Sequence, residues 1–150
     1  AAVTTLIWAL AVAMAAAAVN AAVYTLAVLQ ITTAQSSQAQ TPIVDLDGVT
    51  AVTLEASFAY GSGGASVTAI AQTSCDGGMT WRDIARFDFT TLTAVKYVNL
   101  SGLTAKGVTA LSSLGSEGVA DGFLCDRLRA VLSSTGTYSN TVLTLRASVR

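Results

Sequence analysis

Histidine is absent from this 150-residue chain, and proline occurs only once. Without histidine, the commonest general base and the commonest metal ligand are both missing. Charge is scarce as well: 11% of residues are Asp, Glu, Lys or Arg, where about a quarter is usual. That scarcity, beside a 52% hydrophobic content, excludes an intrinsically disordered charged chain. Eight Lys and Arg nearly cancel nine Asp and Glu, which excludes an electrostatic nucleic-acid binder. Composition thus points away from catalysis, and no cofactor is expected.

The few charges are also confined. Residues 1–44 hold none, and all eight Lys/Arg and nine Asp/Glu lie beyond them. Residues 3–31 are apolar all round, rich in Ala, Leu and Val, and free of Gly and Pro. As a helix of about 28 residues this stretch would run about 42 Å, enough for a hydrocarbon core of about 30 Å. Trp8 and Tyr24 would stand about 24 Å apart along it, like an aromatic belt. Ala9, Ala13, Ala17 and Ala21 recur every fourth residue, a smooth ridge against which another helix can pack closely. A cleaved signal peptide needs a basic start, which is missing. A membrane anchor lacks its flanking Lys or Arg. The third reading is a helix or apolar arm, over residues 1–31, buried against copies of itself or another protein. A segment apolar on every side must be covered on every side, by lipid or by protein. Residues 32–44 then read as a polar linker.

From Val49 onward the hydrophobic period becomes two. Val52, Leu54, Ala56, Phe58 and Tyr60 share one face, with Thr53, Glu55 and Ser57 opposite, which marks a strand with one buried face. The glycine-rich stretch 61–64 separates it from a second strand at 67–73, and the pair reads as a hairpin. Further strands are expected at 84–89, 95–100, 124–132 and 141–149, with a long loop at 101–122 and a turn at 136–140. Residues 45–150 are therefore expected to form one mainly β domain, an antiparallel β-sandwich or jelly roll.

The most specific short signature is Ser74-Cys75-Asp76-Gly77-Gly78-Met79-Thr80-Trp81. It fits S-x-D-x-G-x-T-W and resembles the Asp-box of sialidases and other β-proteins. The chemistry suits a tight hairpin: Asp76 can accept turn N–H groups, Gly78 can take φ > 0, and Trp81 can pack beneath. In that family the box is a folding element remote from catalysis and recurs on several blades. One copy implies a hairpin, with Ser74, Asp76, Gly78, Thr80 and Trp81 as structural residues. Glycines 61, 63 and 64 lack the Lys-Ser/Thr of a phosphate loop. Asp83 and Asp88 alternate with Arg82 and Arg86, a solvated face or salt-bridge ladder before a glycosidase pair. Cys75 and Cys125 have no metal spacing. A disulfide between them needs Cα atoms within roughly 7 Å, which the sequence does not establish, so free thiols are the default expectation and a bond stays open.

Residues 52–91 and 122–150, with the YGSGG turn, the Asp-box QTSCDGGMTW and the closing DRLR and TGTY segments, resemble a group of small tailed-bacteriophage and prophage virion proteins. The resemblance covers about 100 residues and leaves the first 44 unmatched. It implies a non-enzymatic structural protein of the virion, of the capsid decoration or cement type. Its partners would be the major capsid protein or another virion protein, with self-association through residues 3–31. A pilin-like filament subunit and a membrane-anchored surface protein share the same architecture and stand as alternatives.

Overall fold

The computed structural model describes residues 22–150. The greater part of the expected helix or arm, including Ala9, Ala13, Ala17 and Ala21, lies outside the described residues. The last ten residues of that stretch lie inside them and form a strand, β1 (Ala22–Ile31). Tyr, Thr, Val and Ile favour the pleated conformation, and period-two burial is present but changes phase. Ala22, Tyr24 and Leu26 face inward, a bulge falls between Thr25 and Ala27, and Ala27, Leu29 and Ile31 then carry the inward face. A bulge inserts one unpaired residue, so the alternation slips there.

The expected linker also carries structure. Within residues 32–44, β2 (Gln35–Ala39) pairs antiparallel with a later strand. Its irregular register is held partly by side chains: the amides of Gln35 and Ser37 donate to the hydroxyls of Ser134 and Ser133 at 3.0 and 3.1 Å. Ile43 then bridges Leu128. The folded body consequently includes residues 22–44, ahead of the expected boundary at residue 45.

The remaining strands are β3 (Ala51–Ala59), β4 (Ser62–Gly63), β5 (Ser66–Ser74), β6 (Arg82–Phe89), β7 (Ala94–Ser101), β8 (Arg127–Thr135), β9 (Tyr138–Ser139) and β10 (Thr141–Val149). They form two four-stranded antiparallel sheets, ordered β1-β10-β3-β7 and β2-β8-β5-β6, and a two-stranded ribbon, β4-β9. No helix among the described residues is long and apolar enough to cross a membrane. Inward residues of both sheets join one hydrophobic cluster, in which Phe58 of β3 stacks on Phe89 of β6 at 5.0 Å.

β3 and β5 do not form the expected hairpin. β3 lies between β10 and β7, while β5 lies between β8 and β6, so the intervening glycines carry the chain from one sheet to the other. The crossing is fixed by Tyr138, which lies within the expected turn at 136–140 and is 2% exposed. Its ring meets Phe58 and Tyr60 edge-on, and its hydroxyl donates to the Thr90 carbonyl at 2.8 Å. Gly64, at φ +70°, lies so close beneath that ring that an added Cβ would fall 2.2 Å from it.

Candidate functional site

The five Asp-box residues come together in the turn between β5 and β6. Ser74 Oγ donates to Asp76 Oδ1 at 2.9 Å and accepts from the Gly78 amide at 2.8 Å. The Thr80 amide donates to Asp76 Oδ1 at 2.8 Å, and the Thr80 hydroxyl to Oδ2 at 2.5 Å. Gly77 and Gly78 take φ of +75° and +90°, which only glycine adopts without strain. Trp81 Nε1 closes the turn on the Gly78 carbonyl at 3.1 Å. All the polar capacity of Asp76 seen here is spent on the turn itself.

Two features at this end were not read from the sequence. Cys75 and Cys125 are joined in a disulfide, with Cα atoms 5.2 Å apart, which corrects the expectation of free thiols. The bond ties the turn to the chain entering β8, and the Cys125 amide adds a hydrogen bond to Thr73 Oγ1 at 3.0 Å. Beside it, the Arg129 guanidinium lies 4.4 Å from the Trp81 ring centroid, a cation–π contact. Its Nε donates to Gln72 Oε1, and Gln72 in turn donates to Asp83 Oδ1, both at 2.8 Å. Burial, which withdraws the guanidinium from water, lowers the Arg129 pKa.

The hydroxyl and amide of Thr80, and then Ser74 and the Met79 amide, hold the Asp76 pKa at about 2, below its ordinary 3.8, against a smaller opposing effect of desolvation. A depressed carboxylate stabilises the fold above its unfolded pKa, and the contribution disappears as pH falls through the folded value. Acid should therefore loosen this turn between about pH 4 and pH 2. Asp76→Asn should remove that pH dependence and leave the turn less protected at neutral pH. Amide exchange at Gly78 and Thr80, followed against pH in both proteins, checks this.

The second cluster lies where the edge strands β6 and β7 face each other. Arg86 Nε binds Asp88 at 3.2 Å, but the pair is two residues apart on one strand and forms no cross-strand ladder. Thr68 of β5 donates to Asp88 Oδ1 at 2.7 Å, and further partners come from the long loop. Ser116 Oγ donates to Asp88 Oδ2 at 2.8 Å, Arg86 donates to the Leu114 carbonyl at 3.1 Å, and Lys96 binds Glu117. Lys96 also lies 4.9 Å from the Phe89 ring centroid. Partial burial acts to raise the Asp88 pKa, but hydrogen bonds from Thr68, Ser116 and Arg86 outweigh it and hold the value below the ordinary one. Backbone bonds from Arg86 N to Gly118 O (3.0 Å) and from Ala120 N to Ile84 O (2.9 Å) seal the β6 edge.

A cleft of about 310 Å³ remains between β6 and β7, lined by Phe87, Lys96, Tyr97, Val98 and Glu117 among others. Its charges are already paired, and they include no nucleophile beside a base. Asp83 and Asp88 are likewise engaged by Gln72, the Leu114 amide, Arg86 and Ser116. Among the described residues, no group of three or more His, Cys, Asp or Glu is placed to hold a metal ion. This geometry pins a 25-residue-scale loop, roughly residues 102–126, to the body at both ends. No family model, curated protein or solved structure matches the chain.

Proposed function

We propose that the chain is a structural protein of a bacteriophage virion, of the capsid-decoration type. In this reading a disulfide-closed β-sandwich stands on the particle, and the uncharged N-terminal residues make the attachment. The observation that carries it is the partition of charge. Residues 1–44 have none, and their described part, 22–44, forms two edge strands of the body, β1 and β2. Apolar area withdrawn from water stabilises association by about 25 cal/mol per Å², and many copies on one particle make modest contacts act together. The Cys75–Cys125 bond supports the reading, because disulfides persist on particle and cell surfaces and are rare in the cytosol. The phage resemblance of residues 52–91 and 122–150 supports it too.

Because β1 and β2 belong to the body, a truncation that tests the attachment must stop before Ala22. A chain of residues 22–150 should remain folded yet lose binding to particles, whereas the full chain binds. Sedimentation with purified particles reads this, and unchanged binding by the truncated chain overturns the proposal. Filaments formed by the full chain, or its recovery only with lipid, would transfer the same architecture to a pilin-like subunit or a membrane-anchored surface protein.

A further inference from the structure

We infer that the β1 edge of one copy pairs with the β7 edge of a second copy, so that the four-stranded sheet β1-β10-β3-β7 continues from subunit to subunit. The inference rests on the proposed structural role and names one of its partners as another molecule of this chain.

Four strands end the two sheets, and they are not alike. The β6 edge is sealed by residues 118 and 120. β2 is five residues long, polar and irregular in register, features that discourage edge pairing. β1 and β7 are longer, at ten and eight residues. Among the described residues, 22–31 form backbone hydrogen bonds only with β10, and 94–100 only with β3. Edges of this length are usually blunted by proline or exposed charge. β1 has neither, and the single charge on β7, Lys96, is engaged by Glu117 and the Asp88 carbonyl.

The outward face of the sheet carries a second observation. Its inner strands present polar groups there, with Arg146 of β10 paired to Glu55 of β3 at 3.6 Å, flanked by Thr144, Ser148, Thr53 and Ser57. The large exposed apolar side chains sit on the flanks instead: Val23 (67% exposed) and Val28 (63%) on β1, Tyr97 (65%) and Val95 (48%) on β7. Edge-to-edge contact brings the two apolar flanks together. Direction also fits. The sheet is antiparallel throughout, so β1 and β7, its first and fourth strands, run oppositely. A copy displaced sideways without rotation would therefore extend the alternation unbroken. Two different edges meeting make a head-to-tail contact, which generates a ring or an open row of subunits.

The test uses the full chain in its assembled form. One preparation carries Val28→Cys and a second carries Val95→Cys; the two are mixed, assembled and treated with a short bis-maleimide. Val28-to-Val95 crosslinks should exceed either like-with-like crosslink at least tenfold. Tyr97→Glu should weaken assembly at least tenfold while the melting temperature of the body stays unchanged. Predominant β1-to-β1 or β7-to-β7 crosslinks overturn the inference in favour of a two-fold contact. An intact assembly with no β1-to-β7 crosslink overturns it and leaves the structural role standing. A full chain that never assembles overturns both.

Discussion

Replacing Cys75 and Cys125 together with serine should destabilise the body by about 4 kcal/mol, the chain-entropy expectation for a crosslink across about 50 residues. The bond spans a sequence separation of 50 and encloses β6, β7 and the long loop. Opening it frees that whole excursion in the unfolded chain, while the folded body keeps its sheet hydrogen bonds. For a body of this size the loss corresponds to a fall in melting temperature of about 10–20 °C. Thermal unfolding followed by circular dichroism measures it. A reductant should lower the melting point of the parent protein by a similar amount and leave the serine variant unaffected. Equal melting points for parent and variant would show that the loop is held by the Asp76 turn and the Asp88 cluster without help from the bond.

Tyr138→Ala should cost about 3–5 kcal/mol, the usual price of deleting a fully buried aromatic side chain. Tyr138 holds the crossing between the sheets through its edge-on contacts with Phe58 and Tyr60 and its bond to Thr90. The variant leaves a void where β4 and β9 meet and strips a partner from the Thr90 carbonyl. Tyr138→Phe separates the two effects: it keeps the ring and should lose only about 1 kcal/mol for the hydrogen bond. Gly64→Ala attacks the same contact from below. It places a methyl group on the Tyr138 ring and forces a side chain into a left-handed conformation, and should cost about 2–5 kcal/mol from overpacking and backbone strain together. Urea unfolding of the three variants ranks them, with Tyr138→Phe the mildest.

The part of this fold that was legible in the sequence is the part governed by strict alternation. Residues 141–149 read as a strand with one buried face and form β10 over the same bounds. The inward set Val52, Leu54, Ala56 and Phe58 is buried as the spacing requires. Period two reports which face is buried, but it does not report which strand lies alongside. That is why 52–60 and 67–73 read as a hairpin although they belong to different sheets. The choice depends on Tyr138, more than seventy residues along the chain, whose ring has room only because Gly64 lacks a side chain. β1 was hidden for another reason. Its bulge breaks the alternation, and the absence of charge on its outer face left nothing to contrast with the inner one. The Asp76 turn was legible because its donors and acceptors lie within seven residues. The Asp88 cluster was not, since Ser116 and Glu117 reach it from 28 and 29 residues away. The disulfide depends likewise on a distance that only the folded sheets establish.

The mass of the purified full chain in detergent-free buffer, measured by light scattering behind size exclusion across a range of concentrations, bears most directly on whether this molecule is a building part. Multimers whose association weakens once residues 1–21 are removed are the expected finding. A monodisperse single subunit at every concentration, with those first residues in place, contradicts the assembly role.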